Sequence, residues 1–407
     1  MNKKVKVLQI NTYFRKGSTG RIVEDLYRLQ LEQGYDPYVI YGNGEKITGV
    51  HNVFKIGNSF NYYIQKYRTH LFGNHAFYSK LITQKIIKKI KDIDPDVIHI
   101  HNLHGNYIDV DQLFRFIRCK KIPVVLTMHD CWAITGHCAH FSKAGCQKWE
   151  TGCYKCPLLH DYPRTICDRS RSAYARKKAL FTSVDMSVVA ISEWARNVIE
   201  NSFLKDANIY SIYNGVDISR FKPTTQKNSL KEKYNLPNKK VVLSVSIGWT
   251  KEKGVEYIDK LAKKLNDDYL YLVIGVLPNE YYSDKIINLP ATKNVDQLIE
   301  YYQCADVLFN PSLQEMCGLV IIEAMACGVP AVVFDTTASP YVVGKGCDEP
   351  GGIAVELGDI DGVYNAIKTV TDNIKYSENA RNRVEQYFNL ERNNQKYLEV
   401  YKSLCKR

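Results

Sequence analysis

Two glutamates and a glycine in the second half of the chain have the spacing of a site for a phosphate and a sugar. In "NPSLQEMCGLVIIEAMACGVPAVV" a loop carries Glu315, Gly318 is predicted to begin a helix that contains Glu323, and Gly328 and Pro330 are predicted to end it. The first amides of such a helix have no intrahelical partner and carry about half a unit of positive charge, so they suit a phosphate. The two carboxylates can accept hydrogen bonds from hydroxyls on either side. A nucleoside diphosphate sugar has this shape; the alternative is a surface glutamate that caps the helix and a solvated glutamate within it.

Glycines also follow the first predicted strand. Gly17 and Gly20 flank hydroxyl side chains in "KGSTGR", which is predicted to form an amide-rich loop before a helix. Such a loop can contact a donor phosphate or an acceptor. A simple turn is the alternative.

Histidines end two strands in the first half. His129 lies at the end of "VVLTMHD", and His101 and Asn102 lie at the end of "HIHNLHG". Ligands of doubly wound folds bind at the carboxyl ends of strands, so we expect these side chains to line a ligand site. His99 alternates inward and is expected to be structural.

Cysteines cluster just beyond His129. Within 131–167 the spacing C-x7-C-x6-C-x2-C is compatible with a tetrahedral structural zinc site. The predicted ligands are Cys138, Cys146, Cys153 and Cys156, with Cys131 and Cys167 as possible substitutes. Buried or redox-idle thiols and a functional redox pair are the alternatives. Four thiolates leave no open coordination position, so catalytic zinc is not expected.

Length and composition limit the classes of protein. The 407 residues favour two domains. We find neither a signal-peptide pattern nor about 18 consecutive apolar residues, so the protein is expected to be cytoplasmic. In such a protein twelve cysteines argue against a disulfide framework. The net charge of +12 favours acidic partners, such as phosphorylated substrates, nucleic acid or anionic lipid.

Strand-like runs alternate with helical patterns, which predicts an α/β protein. Nine runs read as strands: 5–11, 36–42, 96–102, 123–130, 186–192, 240–248, 269–275, 306–312 and 330–336. The alternation of strands and helices starts again after the turn-rich segment at 214–223. We therefore expect two doubly wound, Rossmann-like domains that face a cleft. The predicted boundaries give domains at 1–204 and 205–374, with a cysteine-rich insertion at 131–167. A final helical stretch at 375–407 is expected to pack on the first domain.

Three segments resemble family 4 glycosyltransferases. The block "YYQCADVLFNPSLQEMCGLVIIEAMACGVPAVV" (301–333) is similar to the signature of that family, "IYNGVDISRFKP" (212–223) to its post-linker phrase, and "WTKEKGVEYI" (249–258) to its phosphate-contacting loop. The resemblance covers nearly the whole chain. It implies the GT-B fold, a nucleotide-diphosphate sugar as donor and transfer that retains the anomeric configuration without a catalytic metal.

The resemblance also implies roles for single residues. Glu323 would bind the donor ribose, Glu315 would contact the donor sugar, and Lys253 would neutralise the departing phosphate. The amides of Gly318 and Leu319 would bind the diphosphate. Gly17 and Gly20 would line the cleft, and His129 would contact the reacting sugar.

One departure from the family pattern concerns a charge. Gly248 stands where the family usually has an arginine, so one charge-assisted contact is missing. Tyr341 also replaces a usual acidic residue.

A basic and aromatic segment suggests a membrane contact. Residues 61–91 contain seven Lys or Arg and no Asp or Glu, interleaved with aromatics. Ile82, Ile86 and Ile90 have the spacing of an ordinary buried helix face. The alternative for part of the segment is an interfacial patch that docks on anionic lipid and presents a lipid-diphosphate acceptor.

The predicted activity is hexosyl transfer from a nucleotide sugar to a glycan or polyprenyl-diphosphate-linked acceptor in surface polysaccharide synthesis, with no nucleic acid partner. The first alternative is a GT-B protein of other chemistry, such as a nucleotide-sugar epimerase or an inactive donor-binding protein. A remote alternative is a zinc-containing nucleic-acid-binding protein.

Overall fold

The computed structural model describes residues 4–281 and 283–405, and these form two compact units. Unit 1 runs to Ile212 and resumes at Asn394, and unit 2 is Tyr213–Asn393. Each unit is a parallel sheet covered by helices, which confirms the predicted α/β class with two doubly wound domains.

Unit 1 has seven strands among its described residues, and they pair in parallel in the order β3-β2-β1-β4-β5-β6-β7. The strands are β1 (Lys6–Asn11), β2 (Asp36–Tyr41), β3 (Val53–Lys55), β4 (Val97–Ile100), β5 (Val124–Met128), β6 (Met186–Ala190) and β7 (Asn208–Ser211). The helices are α1 (Gly17–Glu32), α2 (Ser59–Phe72), α3 (Lys80–Ile93), α4 (Val110–Lys120), α5 (Lys148–Thr151), α6 (Ser170–Phe181) and α7 (Glu193–Glu200). A 3-10 turn lies at Ser142–Ala144.

Unit 2 has six strands among its described residues, in the order β10-β9-β8-β11-β12-β13, again with parallel pairing. The strands are β8 (Lys240–Gly248), β9 (Tyr269–Val276), β10 (Ile286–Leu289), β11 (Val307–Asn310), β12 (Ala331–Phe334) and β13 (Gly352–Val355). The helices are α8 (Lys227–Lys233), α9 (Val255–Lys264), α10 (Val295–Cys304), α11 (Leu319–Ala326), α12 (Ser339–Val343), α13 (Ile360–Asp372) and α14 (Lys375–Tyr387). A 3-10 turn lies at Asn279–Tyr281, and α15 (Leu390–Cys405) ends the described chain.

The unit boundaries differ from the predicted ones. The first sheet includes β7, so unit 1 continues to Ile212 rather than to residue 204. The predicted final helix at 375–407 is two helices. The first of these, α14, packs against α11 in unit 2, and apolar residues of α15 join the core of unit 1, among them Tyr397, Leu398 and Tyr401.

Apolar runs account for the cores of both sheets. The central strands of each sheet are almost continuously apolar, as strands covered on both faces must be. On α3 the isoleucines at 82, 86 and 90 are buried, as the helical spacing predicts. Within the described ranges, no helix combines the length and the apolar character that crossing a bilayer requires.

Candidate active site

In unit 2 two loops are held together at the carboxyl ends of β8 and β11. The amide of Leu313 donates a hydrogen bond to the carbonyl of Glu252, at 3.0 Å. Gly254 precedes α9 with φ +73°, and a Cβ built there would lie 2.0 Å from the carbonyl oxygen of Pro311. Only glycine permits this approach, so the "TKEKG" loop and the loop after β11 have a fixed relative position.

This close approach brings Lys253 to Glu315. The Nζ of Lys253 lies 2.7 Å from Oε1 of Glu315 in a partly exposed ion pair. The amide of Glu315 donates to the hydroxyl of Thr337, at 2.8 Å, which fixes the backbone of the loop. A cation and a carboxylate therefore stand together beside the beginning of α11.

The beginning of α11 has the predicted form. Gly318 precedes the helix with φ +70°, a left-handed conformation that favours glycine, and Leu319 is the first helical residue. Further along the helix, Glu323 is buried, and Oε2 of its carboxylate accepts a hydrogen bond of 2.7 Å from the hydroxyl of Tyr302. Sequence analysis did not identify Tyr302 as the partner of Glu323.

Buried polar atoms without hydrogen-bond partners lie at the end of β11 and in the loop that follows it. Among the described residues these include Nδ2 of Asn310, Oγ of Ser312 and Oε1 of Gln314. Unsatisfied buried groups are few in folded proteins, and these three atoms are available to a polar ligand. Gly248, at the end of β8, has no atom within 4 Å of the place where a Cβ would be.

In unit 1 the predicted loop at "KGSTGR" is a helix terminus. The expectation that Gly17 and Gly20 flank a loop before the helix is wrong, because α1 begins at Gly17 and Gly20 lies in its first turn. The amide of Arg15 donates back to the carbonyl of Gly20, at 3.0 Å, which folds the preceding residues over the turn. The amides of a first turn still suit an anion.

The strand-end histidines form one hydrogen-bonded group. Nε2 of His129 lies 2.9 Å from Nδ1 of His101, whose Nε2 lies 3.1 Å from Oε1 of Gln9. Burial lowers the pKa of His129 to about 4 and that of His101 well below its usual range, so both rings are neutral at pH 7. His99 is fully buried between Thr127 and Tyr401, in the structural role expected for it.

A second group next to His129 escaped the sequence analysis. Asp130 accepts at Oδ2 from Nε2 of His104, at 2.6 Å, and at Oδ1 from the amide of Trp132, at 2.8 Å. The hydroxyl of Tyr162 lies 2.9 Å from Nδ1 of His104. Burial favours the neutral acid, but the charge and hydrogen bond of His104 outweigh it and hold the pKa of Asp130 below its usual range. Asp130 directly follows His129 at the end of a strand, and this position could have identified it as a candidate site residue.

The four predicted zinc ligands line a single pocket. The amide of Gly136 donates to Sγ of Cys153, at 3.1 Å, and the thiol of Cys138 donates to the sulfur of Cys156. The described part of the chain nevertheless holds no group of three or more His, Cys, Asp or Glu side chains arranged to bind a metal ion. The expectation of zinc is thus not supported by the arrangement of the side chains.

A buried lysine lies beside these cysteines. Lys177 of α6 is 1% exposed, and its ammonium group lies 3.8 Å from the centre of the Trp132 ring and donates to the carbonyl of that residue. Burial lowers the pKa of Lys177 to about 7, and the neighbouring Cys153 and Cys138 act in the opposite direction. The polar helix pattern around Lys177 gave no sign of this position.

Comparison with known proteins identifies the family. The profile described as "Glycosyltransferase Family 4" matches residues 19–220, and the profile described as "Glycosyl transferases group 1" matches residues 239–373. WcaC of Escherichia coli (strain K12), named for glycosyl transfer in colanic acid biosynthesis, is 23% identical over 372 residues, which are 84% of this chain and 86% of WcaC. The UDP-Gal:alpha-D-GlcNAc-diphosphoundecaprenol alpha-1,3-galactosyltransferase of Escherichia coli is 28% identical over 50% of this chain and 56% of its own.

Solved structures have the same fold. Sucrose-phosphate synthase from Thermosynechococcus elongatus has a TM-score of 0.73 at 17% identity and covers 98% of this chain and 99% of its own. HepE of Anabaena, solved in complex with UDP and glucose, has a TM-score of 0.70 at 16% identity and covers 98% of this chain and 100% of its own. With the two family matches, which take in most of the chain, these results show that the protein is a family 4 glycosyltransferase with the GT-B fold.

Proposed function

We propose that the enzyme transfers a hexose from a nucleotide-diphosphate sugar, with retention of anomeric configuration, to a glycan or polyprenyl-diphosphate-linked glycan in surface polysaccharide synthesis. The observation that carries the proposal is the group in unit 2 where Lys253, Glu315 and the first turn of α11 meet. The names of WcaC and of the galactosyltransferase support a glycan or lipid-linked glycan as acceptor. HepE, solved with UDP and glucose, supports a nucleotide-diphosphate sugar as donor.

Each donor group has a matching residue in this proposal. The amides of Gly318 and Leu319 bind the diphosphate, and the buried carboxylate of Glu323, oriented by Tyr302, accepts hydrogen bonds from the ribose hydroxyls. Glu315 contacts the transferred sugar. The unpartnered polar atoms of 310–314 are further contacts available to the ligand.

Transfer requires charge stabilisation rather than a catalytic metal. The bond from the anomeric carbon to the diphosphate oxygen breaks, a bond to the acceptor oxygen forms on the same face, and the acceptor proton passes to the departing diphosphate. Lys253 neutralises the charge that develops on that leaving group, where such stabilisation is most effective. His129, neutral at pH 7, contacts the reacting sugar as a hydrogen-bonding group and not as a general base. Gly17 and Gly20 line the cleft in this proposal, and the amide of Gly17, at the first position of α1, is available to an anion.

The reaction is tested by the stereochemistry of its product. The wild-type enzyme is incubated with UDP-, GDP- and ADP-hexoses and with polyprenyl-diphosphate-linked mono- and disaccharides, and the new linkage is determined by NMR. We expect one donor class to give a product with the anomeric configuration of the donor, and Lys253→Met to reduce its formation. An inverted product would refute retention, and epimerised donor without transfer would refute the proposal.

The outer face of α2 supports a membrane contact. The helix buries the polar residues Gln65 and Thr69, whereas Phe60, Tyr63 and Tyr67, spaced three and four residues apart, are 64–75% exposed. The helix itself carries Lys66 and Arg68, and 61–91 contains no acidic residue. We therefore propose that α2 docks on anionic lipid at the membrane that holds the lipid-linked acceptor.

Vesicle flotation tests the membrane contact. The protein should float with phosphatidylcholine vesicles that contain phosphatidylglycerol and not with phosphatidylcholine alone, and the double variant F60S/Y67S should lose most of this binding. Ile374→Ser changes a similarly exposed apolar residue of unit 2 and serves as the control. Equal binding by both variants would contradict the proposal.

We also propose that Cys138, Cys146, Cys153 and Cys156 hold a structural zinc ion. The shared pocket and the amide hydrogen bond to Cys153 support it. So does Lys177, because zinc with four thiolates carries two negative charges and a buried cation requires such a partner. Zinc binding would require the sulfurs to move together from their present positions.

Metal analysis tests the zinc proposal. We expect about one zinc per chain by mass spectrometry, lost in Cys138→Ser and retained in Cys347→Ser, which changes an exposed cysteine of unit 2. Four reactive thiols and no zinc in protein purified without chelator would refute it.

A further inference from the structure

Tyr162, in the cysteine-rich insertion, lies far along the chain from the strand-end groups that it meets. Its hydroxyl makes a hydrogen bond with His104, which follows β4. His104 in turn makes a hydrogen bond with Asp130, which follows β5. The three residues therefore link the insertion to the end of the unit 1 sheet where His129 also lies. From this arrangement we infer that Tyr162, His104 and Asp130 form a subsite that binds a sugar ring of the acceptor.

The direction of the hydrogen bonds leaves the carboxylate able to accept more. The Tyr162 hydroxyl lies 2.9 Å from Nδ1 of His104, and Nε2 of His104 donates to the ionised Asp130, which can only accept. Each carboxylate oxygen keeps a lone pair for a sugar hydroxyl, and ionised acceptors make the stronger hydrogen bonds.

The position relative to His129 suits an acceptor. His129, Asp130 and His104 line one pocket. Since His129 is the residue proposed to contact the reacting sugar, a ring bound at Asp130 lies next to the reaction rather than at a remote surface. The subsite thus rests on the proposed function and specifies its acceptor side.

Aromatic surface completes the subsite. Tyr162 is 53% exposed although its hydroxyl is hydrogen-bonded, so part of its ring is available to an apolar sugar face. The ring centres of His104 and the buried Trp132 are 5.9 Å apart. The Asp130 carboxylate can accept hydrogen bonds from the hydroxyls of a sugar, and the Tyr162 ring can pack against the apolar face of the same sugar.

The supporting loops are rigid, as a binding site requires. Gly105, next to His104, has φ +118°, and a Cβ there would lie 2.6 Å from the Thr12 methyl carbon. Thr12 and Tyr107 both bond the carbonyl of Asn102. On the insertion side, the amide of Ile166 donates to the carbonyl of His70 at the end of α2. The subsite is therefore preorganised before a ligand arrives.

Acceptor kinetics test this subsite. With the donor and acceptor pair that gives product with wild type, initial rates are measured against acceptor concentration for Asp130→Asn and Tyr162→Phe. We expect the KM for acceptor to rise by about 10-fold or more in Asp130→Asn and by about 5-fold in Tyr162→Phe. The KM for donor and the melting temperature should change little. Tyr154→Phe alters a tyrosine of the same insertion with the same 53% exposure and should match wild type.

The outcomes separate the two proposals. Wild-type transfer with an unchanged acceptor KM in both variants would refute the subsite and leave the proposed function standing. Equal loss of donor and acceptor affinity, or a lowered melting temperature, would show a structural role instead and also refute it. Absence of any transfer by wild type would overturn the proposed function and the subsite with it.

Discussion

Gly254→Ala is the substitution whose effect the structure specifies most closely. The new Cβ would lie 2.0 Å from the carbonyl oxygen of Pro311, about 1 Å or more inside ordinary contact, and the residue would have to keep φ +73°. The left-handed conformation alone costs about 1–2 kcal/mol. The clash is with backbone, so the loop must move, and Lys253 moves with it.

The expected cost to catalysis follows from that displacement. A misplacement of about 1 Å in a positioning element reduces rate about 100-fold, so Gly254→Ala should lower donor turnover by this order. Thermal denaturation and initial rates of nucleoside diphosphate release measure both effects. Gly248→Ala is the matched control, because nothing lies within 4 Å of its added Cβ and its backbone is not left-handed; it should stay within about 2-fold of wild type. Wild-type rate and stability in Gly254→Ala would refute the argument that this close approach positions Lys253.

Three further predictions concern charge and protonation. Lys253→Met should reduce kcat by about 100-fold at saturating donor, because the developing leaving-group charge loses its cation; a kcat within 2-fold of wild type would contradict this role. Gly248→Arg should tighten donor binding by about 10-fold in calorimetry, since nothing lies within 4 Å of the new Cβ and a charge-assisted contact is added; weaker binding would show that another group already fills this role. Unfolding free energy should fall as the pH drops from 6.5 towards 4, because the unfolded chain binds protons that buried His99 and His129 reject. For His129 this amounts to about 3 kcal/mol at most, and it is fully present above pH 6.5; denaturant titrations that give equal stability at pH 7 and pH 4.5 would contradict it.

The strands that the sequence failed to predict share one physical property. The nine predicted runs all contain observed strands, whereas β3, β7, β10 and β13 were missed, and each of these four lies at an edge of its sheet. Edge strands are covered on fewer sides, so their residues are mostly half-buried and lack a continuous apolar run. Central strands are buried on both faces and therefore have the continuous apolar run from which a strand can be predicted.

The site residues divide in a similar way. Glu315, Gly318 and Glu323 lie within nine residues of one another, so local spacing and the resemblance located them. His104, Asp130 and Tyr162 are separated by 26 and 32 residues and meet only through tertiary structure. The wrong expectation for "KGSTGR" arose because two glycines were interpreted as a loop, although a helix tolerates glycine in its first turn.

Donor binding by wild type and Glu323→Ala tests the central claim most directly. A thermal-shift panel of nucleoside diphosphates and nucleotide sugars should raise the melting temperature of wild type for one nucleotide class, because the bound ligand stabilises the folded state by a free energy of RT ln(1 + [L]/Kd). The same ligands should leave Glu323→Ala unshifted, because its ribose contact and the bond from Tyr302 are lost. An equal shift in both proteins, or none in wild type with any nucleotide sugar, would contradict the assignment of the donor site to unit 2.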